Sequence, residues 1–190
     1  MRNLIQKNLA GKRVLWLFVL TNVVYSIMLL FTIPQVMSFS QGMNLLDMMP
    51  TGYDHAYVNS LLSTLGTAGR DAYLFHQIPV DMIYPFLFGV SSCLVLAYFL
   101  NKLNKLRGSL FYLCFIPLFS GLFDYGENFG IIAMLNSYPN NSVLLSQTTN
   151  TFSVLKSSCT VAYFVVLIML LLALGANVLQ RSLNPKKQSL

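Results

Sequence analysis

The chain has 190 residues, of which 55% are hydrophobic and only 9% charged, with a net charge of +6 and a mean hydropathy of +0.61. That charge content lies far below the ~25% of soluble domains and excludes a water-soluble enzyme or nucleic-acid-binding module, so the sequence reads as an integral membrane protein. Four apolar stretches reach the ~20 residues needed to span a bilayer, at about 14–33, 80–100, 110–135 and 157–178, and none alternates polar and apolar as a barrel strand would. The expected fold is all-α: a single domain over residues 1–190, an integral membrane four-helix bundle with a short external interfacial helix between spans one and two.

Arg2, Lys7, Lys12 and Arg13 precede the first span, and Trp16 near its start fits an interfacial aromatic belt. The apolar run is too long for the ~7–15-residue core of a cleaved signal peptide, so it reads as a retained anchor. Pro34 is expected to end it, because proline lacks the N–H that continues a helix. Asn22, Tyr25 and Ser26 are its polar contribution to the bundle.

From Gln35 to Pro79 the chain is expected outside. Asp54 can cap a helix over 54–65 whose Val58, Leu61, Leu62 and Leu65 form an apolar side, with Gly66 as its stop. This helix either lies on the membrane surface or caps the bundle. Gly69-Arg70-Asp71 begins a second helical stretch leading into span two, with Pro79 near the bend. Span two then carries Asp81, Tyr84, Phe88 and Ser91 or Ser92 at three-to-four spacing, one helical face, and Gln77 and Arg70 extend it if the helix continues backward. Lys102, Lys105 and Arg107 fill the next turn.

Span three contains Asp124-Tyr125-Gly126-Glu127-Asn128. An ionisable group within a bilayer costs ~2.5 kcal/mol or more unless it meets a partner or a wet cavity, so these carboxylates mark a candidate functional site. Asp124, Glu127 and Asn128 share one helical face, while Gly126, Gly130 and Ala133 lie nearly opposite with the small-residue spacing that admits a neighbouring helix. The connection over about 136–152 is polar and uncharged and is expected outside; its Asn140-Asn141-Ser142 is an N-x-S acceptor, meaningful only in a source that glycosylates. Span four contributes Lys156, Thr160 and Tyr163.

Ten of the twelve basic residues fall before span one, between spans two and three, or after span four, where Arg181, Lys186 and Lys187 lie. The positive-inside rule then places both termini in the cytoplasm of a cell-membrane, multi-pass protein. With that orientation the polar groups gather in the outer half. They predict a pocket lined by Asp81, Tyr84, Asp124, Glu127, Asn128 and Lys156, with Arg70 and His76 at its mouth. Glu127 is the expected partner of Lys156, and Asp124, the deepest acid, is expected to have no cation of its own. Three readings follow: an ionic network that only fixes helix register, a ligand-binding or catalytic pocket, or a proton or ion path.

Cys93, Cys114 and Cys159 fall in three different spans without a Cys-x-x-Cys pair, and His55 and His76 belong to no ligand motif, so no metal and no cofactor is expected. Neither a Gly-x-Ser-x-Gly elbow nor a P-loop is present. The layout of four spans, inner termini, a long first external loop with a short helix, and acids on spans two and three resembles the sterol-isomerase and sigma-2-receptor group (the EXPERA domain). The resemblance covers the whole chain as a layout, transfers no residue role, and implies an acid-lined pocket accepting a cationic or sterol-like ligand.

The sequence thus predicts a multi-pass membrane protein whose external-side carboxylate pocket binds a small amphipathic or cationic ligand. The alternatives are an assembly subunit of a membrane complex and a membrane enzyme doing acid/base chemistry on a lipid-like substrate. The partners on this reading are membrane lipids, that ligand, and a homo- or hetero-oligomeric neighbour; nucleic acid is not among them.

Overall fold

The computed structural model describes residues 2–183, so Lys186 and Lys187 lie outside the described residues. Every regular element among the described residues is helical. Four helical stretches are long and apolar enough to cross a membrane, Gly11–Met37, His55–Lys102, Ser109–Ser137 and Val143–Gln180, and each contains one of the expected spans.

A short α1 (Arg2–Lys7) precedes α2 (Gly11–Ile27). Pro34 does not end this helix. A wide π-type turn at Met28–Thr32, closed by the Ile33 N–H on Met28 O five residues back, carries the chain into α3 (Ile33–Met37). Proline cannot join a regular four-residue ladder, and a five-residue turn just before it lets the rod continue. The same device recurs at the end of α4 (His55–Ala72). There a π-turn at Tyr73–Gln77, closed by Ile78 N–H on Tyr73 O, leads into α5 (Ile78–Asp81) with Pro79. The Thr32 hydroxyl donates to Gln77 Oε1 and ties the two bends together.

Asp54 caps α4 as expected, its Oδ1 accepting from the Tyr57 N–H at 2.7 Å. Gly66 interrupts the helix with φ +61 rather than stopping it, so the helix expected over 54–65 continues toward span two. Arg70 Nη1 donates at 2.8 Å to Leu62 O, the carbonyl four residues before the break, where a regular helix would supply the Gly66 N–H. Beyond a turn at Met82 and Ile83 comes α6 (Tyr84–Lys102), and a tight 3-10 stretch at Ser109–Phe115 enters α7 (Ile116–Ser137).

The polar stretch expected as a connection over 136–152 is mostly helix: α8 runs Val143–Leu183, with Ser142 Oγ accepting from the Leu145 N–H at 3.1 Å. Its polar residues are a packing face. Ser146, Thr149 and Ser153 are each only 1% exposed. At 41 residues α8 is roughly 60 Å long, about twice the ~30 Å hydrocarbon core of a bilayer.

The α7 helix packs most extensively on α8 and next on α6, while α2 leans on α6. The small-residue face of α7 meets α8: a Cβ on Gly130 would lie 2.8 Å from Thr149 Cβ, and one on Gly126 2.9 Å from the Phe152 ring. Two apolar clusters result. One joins Val36, Leu45, Leu46, Leu61, Leu62 and Tyr73 to Ile131 and Met134 of α7; the other joins Leu96, Leu100, Phe111 and Cys114 to Tyr163 of α8. The carboxylates of α7 lie along the helix between these clusters.

Candidate functional site

Asp124, Glu127 and Asn128 share one side of α7 and are 5%, 0% and 0% exposed. Lys156, descending on α8, donates from Nζ to Asp124 Oδ1 at 3.2 Å and pairs with Glu127 Oε2. The expected Lys156–Glu127 pair is therefore present. The expectation that Asp124 lacks a cation is not met, because α7 and α8 cross closely enough for one ammonium to reach two carboxylates a turn apart. One turn earlier, Ser120 Oγ lies 2.7 Å from Thr160 Oγ1 and 3.2 Å from Lys156 O, continuing the polar contact between the helices.

Asp81, at the end of α5, is 3% exposed. Its main-chain carbonyl accepts from Asn128 Nδ2 at 3.3 Å, and among the described residues its carboxylate has no ion-pair or hydrogen-bond partner. Asp81, Asp124 and Lys156 line a cavity of about 390 Å³, together with Tyr25, Tyr84 and Asp47. Glu127 and Asn128 are buried and do not line it. A second chamber of about 230 Å³ shares Tyr25, Tyr84, Phe88 and Thr160 with the first and reaches Ser91, Ser92 and Tyr163. The faces expected on spans one, two and four thus converge, except that Ser26 bonds Asn22 O of its own helix and lines neither chamber. The shared rings are in contact in sequence, Tyr25 stacked on Tyr84 with centroids 5.3 Å apart and Tyr84 tilted against Phe88 at 5.7 Å.

Asp47 is the acid of the site that sequence reasoning missed, and Ser120 is a second lining residue it did not name. Asp47 sits on a single 3-10 turn, Leu46–Met48, and accepts from Tyr73 OH at 2.6 Å and Gln77 Nε2 at 3.1 Å. The available signal was its setting, an acid flanked by Leu45-Leu46 and Met48-Met49 inside a polar segment; both leucines are 0% exposed and anchor the loop in the core. Tyr53 closes the loop, its N–H held by Asn150 Oδ1 at 2.8 Å. Burial, followed by the charge on Glu127, pushes the Tyr53 hydroxyl well above its ordinary pKa. Among the described residues, that hydroxyl, Glu127 Oε1 and Asn128 Oδ1 have no hydrogen-bond partner.

Arg70 and His76 are not brought to the cavity. The Arg70 guanidinium is turned back on α4 and lies 4.4 Å from the Tyr138 ring centroid, and His76 Nδ1 is 2.8 Å from Gln35 Nε2 in an exposed contact. Among the described residues Lys156 is therefore the one cation lining the cavity, with Asp47, Asp81 and Asp124 also on its walls and Glu127 behind. Among the described residues no group of three His, Cys, Asp or Glu side chains is arranged to hold a metal ion. Cys93 and Cys114 are buried and Cys159 half-buried, all as free thiols.

No protein-family model, curated protein or solved structure matches this chain. The functional reading accordingly rests on the geometry of the site.

Proposed function

We propose that the four long helices form a membrane-embedded bundle of the cell membrane with both termini cytoplasmic. The loop over 38–54 and helix α4 then cover its outer end, and the cavity beneath them binds a small amphipathic or cationic ligand. The observation that carries this reading is the Asp81 carboxylate, almost fully buried, lining a cavity and left without a partner. An isolated buried charge is strongly unfavourable, and a ligand cation offsets that cost. Lys156 is already engaged by Asp124 and Glu127, so it does not neutralise Asp81. Tyr25, Tyr84 and Phe88 supply ring faces on which an alkylated ammonium is held electrostatically as well as by apolar contact.

The test is direct titration of the purified protein with a dansyl-labelled long-chain quaternary ammonium and with its uncharged carbon isostere. The charged probe is expected to bind and the isostere not. Asp81→Asn should weaken the charged probe on the order of tenfold or more, the scale of one charge-assisted contact. Equal binding by wild type and Asp81→Asn would overturn the reading.

The bridging of Asp124 and Glu127 by Lys156 supports a second reading, an assembly subunit whose ionic network serves helix register alone. That reading expects no saturable binding of the charged probe and unchanged co-purification of partner subunits in Asp81→Asn.

A further inference from the structure

At the opposite end of α2 from the carboxylates, a groove of about 660 Å³ runs between α1, α2, α6 and the start of α7. Its walls are mainly apolar, including Trp16, Leu94, Phe115 and Leu118, and its mouth carries Arg13 and Asn8. Arg13 Nη1 reaches Asn8 Oδ1 at 3.4 Å, and among the described residues Arg13 enters no ion pair. Trp16, one turn inward, is 73% exposed and forms part of the same wall.

From this arrangement we infer that the groove is a binding site for one anionic phospholipid, its phosphate held by Arg13 and one acyl chain laid along Trp16, Leu94, Phe115 and Leu118. The sign of the charge selects the headgroup: among the described residues the one ionised side chain lining the groove is a guanidinium, which pairs with phosphate through several donors at once. The apolar walls select a hydrocarbon tail over a free phosphate or nucleotide. The volume falls within the ~300–1,000 Å³ of small-molecule sites, and the groove is continuous with the exposed apolar surface of α2, where Leu15, Trp16 and Leu20 are all uncovered. The site is separate from the carboxylate cavity, sharing no lining residue with it. It rests on the membrane placement proposed above and on nothing else in that proposal.

Trp16 is the chain's one tryptophan, so it reports on this groove without mutation. The full-length protein in mixed vesicles is titrated with brominated phosphatidylglycerol replacing its unlabelled form, and separately with brominated phosphatidylcholine. Trp16 quenching is expected to show at least a several-fold preference for the anionic lipid. Arg13→Gln, an exposed position, should reduce the preference to near unity, and Arg13→Lys should restore part of it. In a Trp16→Phe, Phe31→Trp protein, whose reporter lies at the far end of the same rod, the preference should be absent. Equal quenching by both lipids, or a preference that survives Arg13→Gln, would overturn the site while leaving the membrane placement intact. Quenching by neither lipid would overturn both.

Discussion

Lys156 stands between Asp124 and Glu127, so a single ammonium on α8 ties together two carboxylates one turn apart on α7. The two acids are not equivalent partners: Asp124 borders the cavity, whereas Glu127 is fully buried with its second oxygen unbonded. Removing the lysine therefore strands one carboxylate where water can reach it and another where it cannot.

Lys156→Met is accordingly expected to cost ~3–5 kcal/mol, the usual penalty for breaking one side of a buried pair. Adding Glu127→Gln should recover most of that loss, because the amide removes the charge that has no access to water. Thermal unfolding of the two single variants and the double variant in one detergent measures the coupling. Strictly additive losses would show that the pair contributes no interaction energy.

The α7–α8 contact is set by Gly130 and Thr149. Gly130→Ala places a methyl 2.8 Å from Thr149 Cβ and should destabilise the bundle by ~1–3 kcal/mol, the range for overpacking. Thr149→Gly in the same chain should relieve much of the strain. Gly175→Ala, whose added Cβ meets nothing within 4 Å, serves as the control and should be neutral or gain up to ~1 kcal/mol from helix propensity. If Gly130→Ala melts like the control, the close approach of α7 and α8 is not what the glycine serves.

The spans and the polar face of α7 were legible in the sequence because they depend on local spacing: apolar runs of bilayer length, and acids at i and i+3. The rest depends on contacts between distant segments. Asp47 is bonded to Tyr73 and Gln77, and no local period could place it in the cavity. Arg70 looked like a mouth residue by helical extrapolation, but the break at Gly66 offers it the Leu62 carbonyl instead. Polarity misled at the start of α8: Ser146 and Thr149 read as loop, yet Thr149 fits against Gly130 of α7 and bonds within its own helix, Oγ1 to Leu145 O at 2.8 Å. Pro34 misled in the same way, since the π-turn that admits it leaves no mark in composition.

The proposed orientation has a sharp readout. With both termini cytoplasmic, single cysteines placed at Tyr53 and Asn140 should be reachable by a membrane-impermeant maleimide from outside only, and one at Asn104 from inside only; Tyr53 is 8% exposed and will label slowly. The native thiols give a low background, with two buried and one half-buried. External labelling at Asn104 with protection at Asn140 would invert the topology and move the carboxylate cavity to the cytoplasmic half.

Two acids on one cavity wall should respond in opposite ways to neutralisation. Asp47 satisfies the Tyr73 hydroxyl and the Gln77 amide, so Asp47→Ala leaves buried donors unpaired and is expected to cost ~1–3 kcal/mol. Asp81 satisfies nothing with its carboxylate, and its structural bond, from Asn128, is made to its main chain. Asp81→Asn keeps shape and removes a buried charge, so the unliganded protein should be as stable as wild type or more stable. The same substitution should abolish the stabilisation that a saturating quaternary ammonium probe confers on the wild type through mass action. Differential thermal unfolding with and without probe reads both effects in one experiment. If Asp81→Asn unfolds while Asp47→Ala is silent, Asp81 is a structural residue and the cavity needs no ligand to explain it.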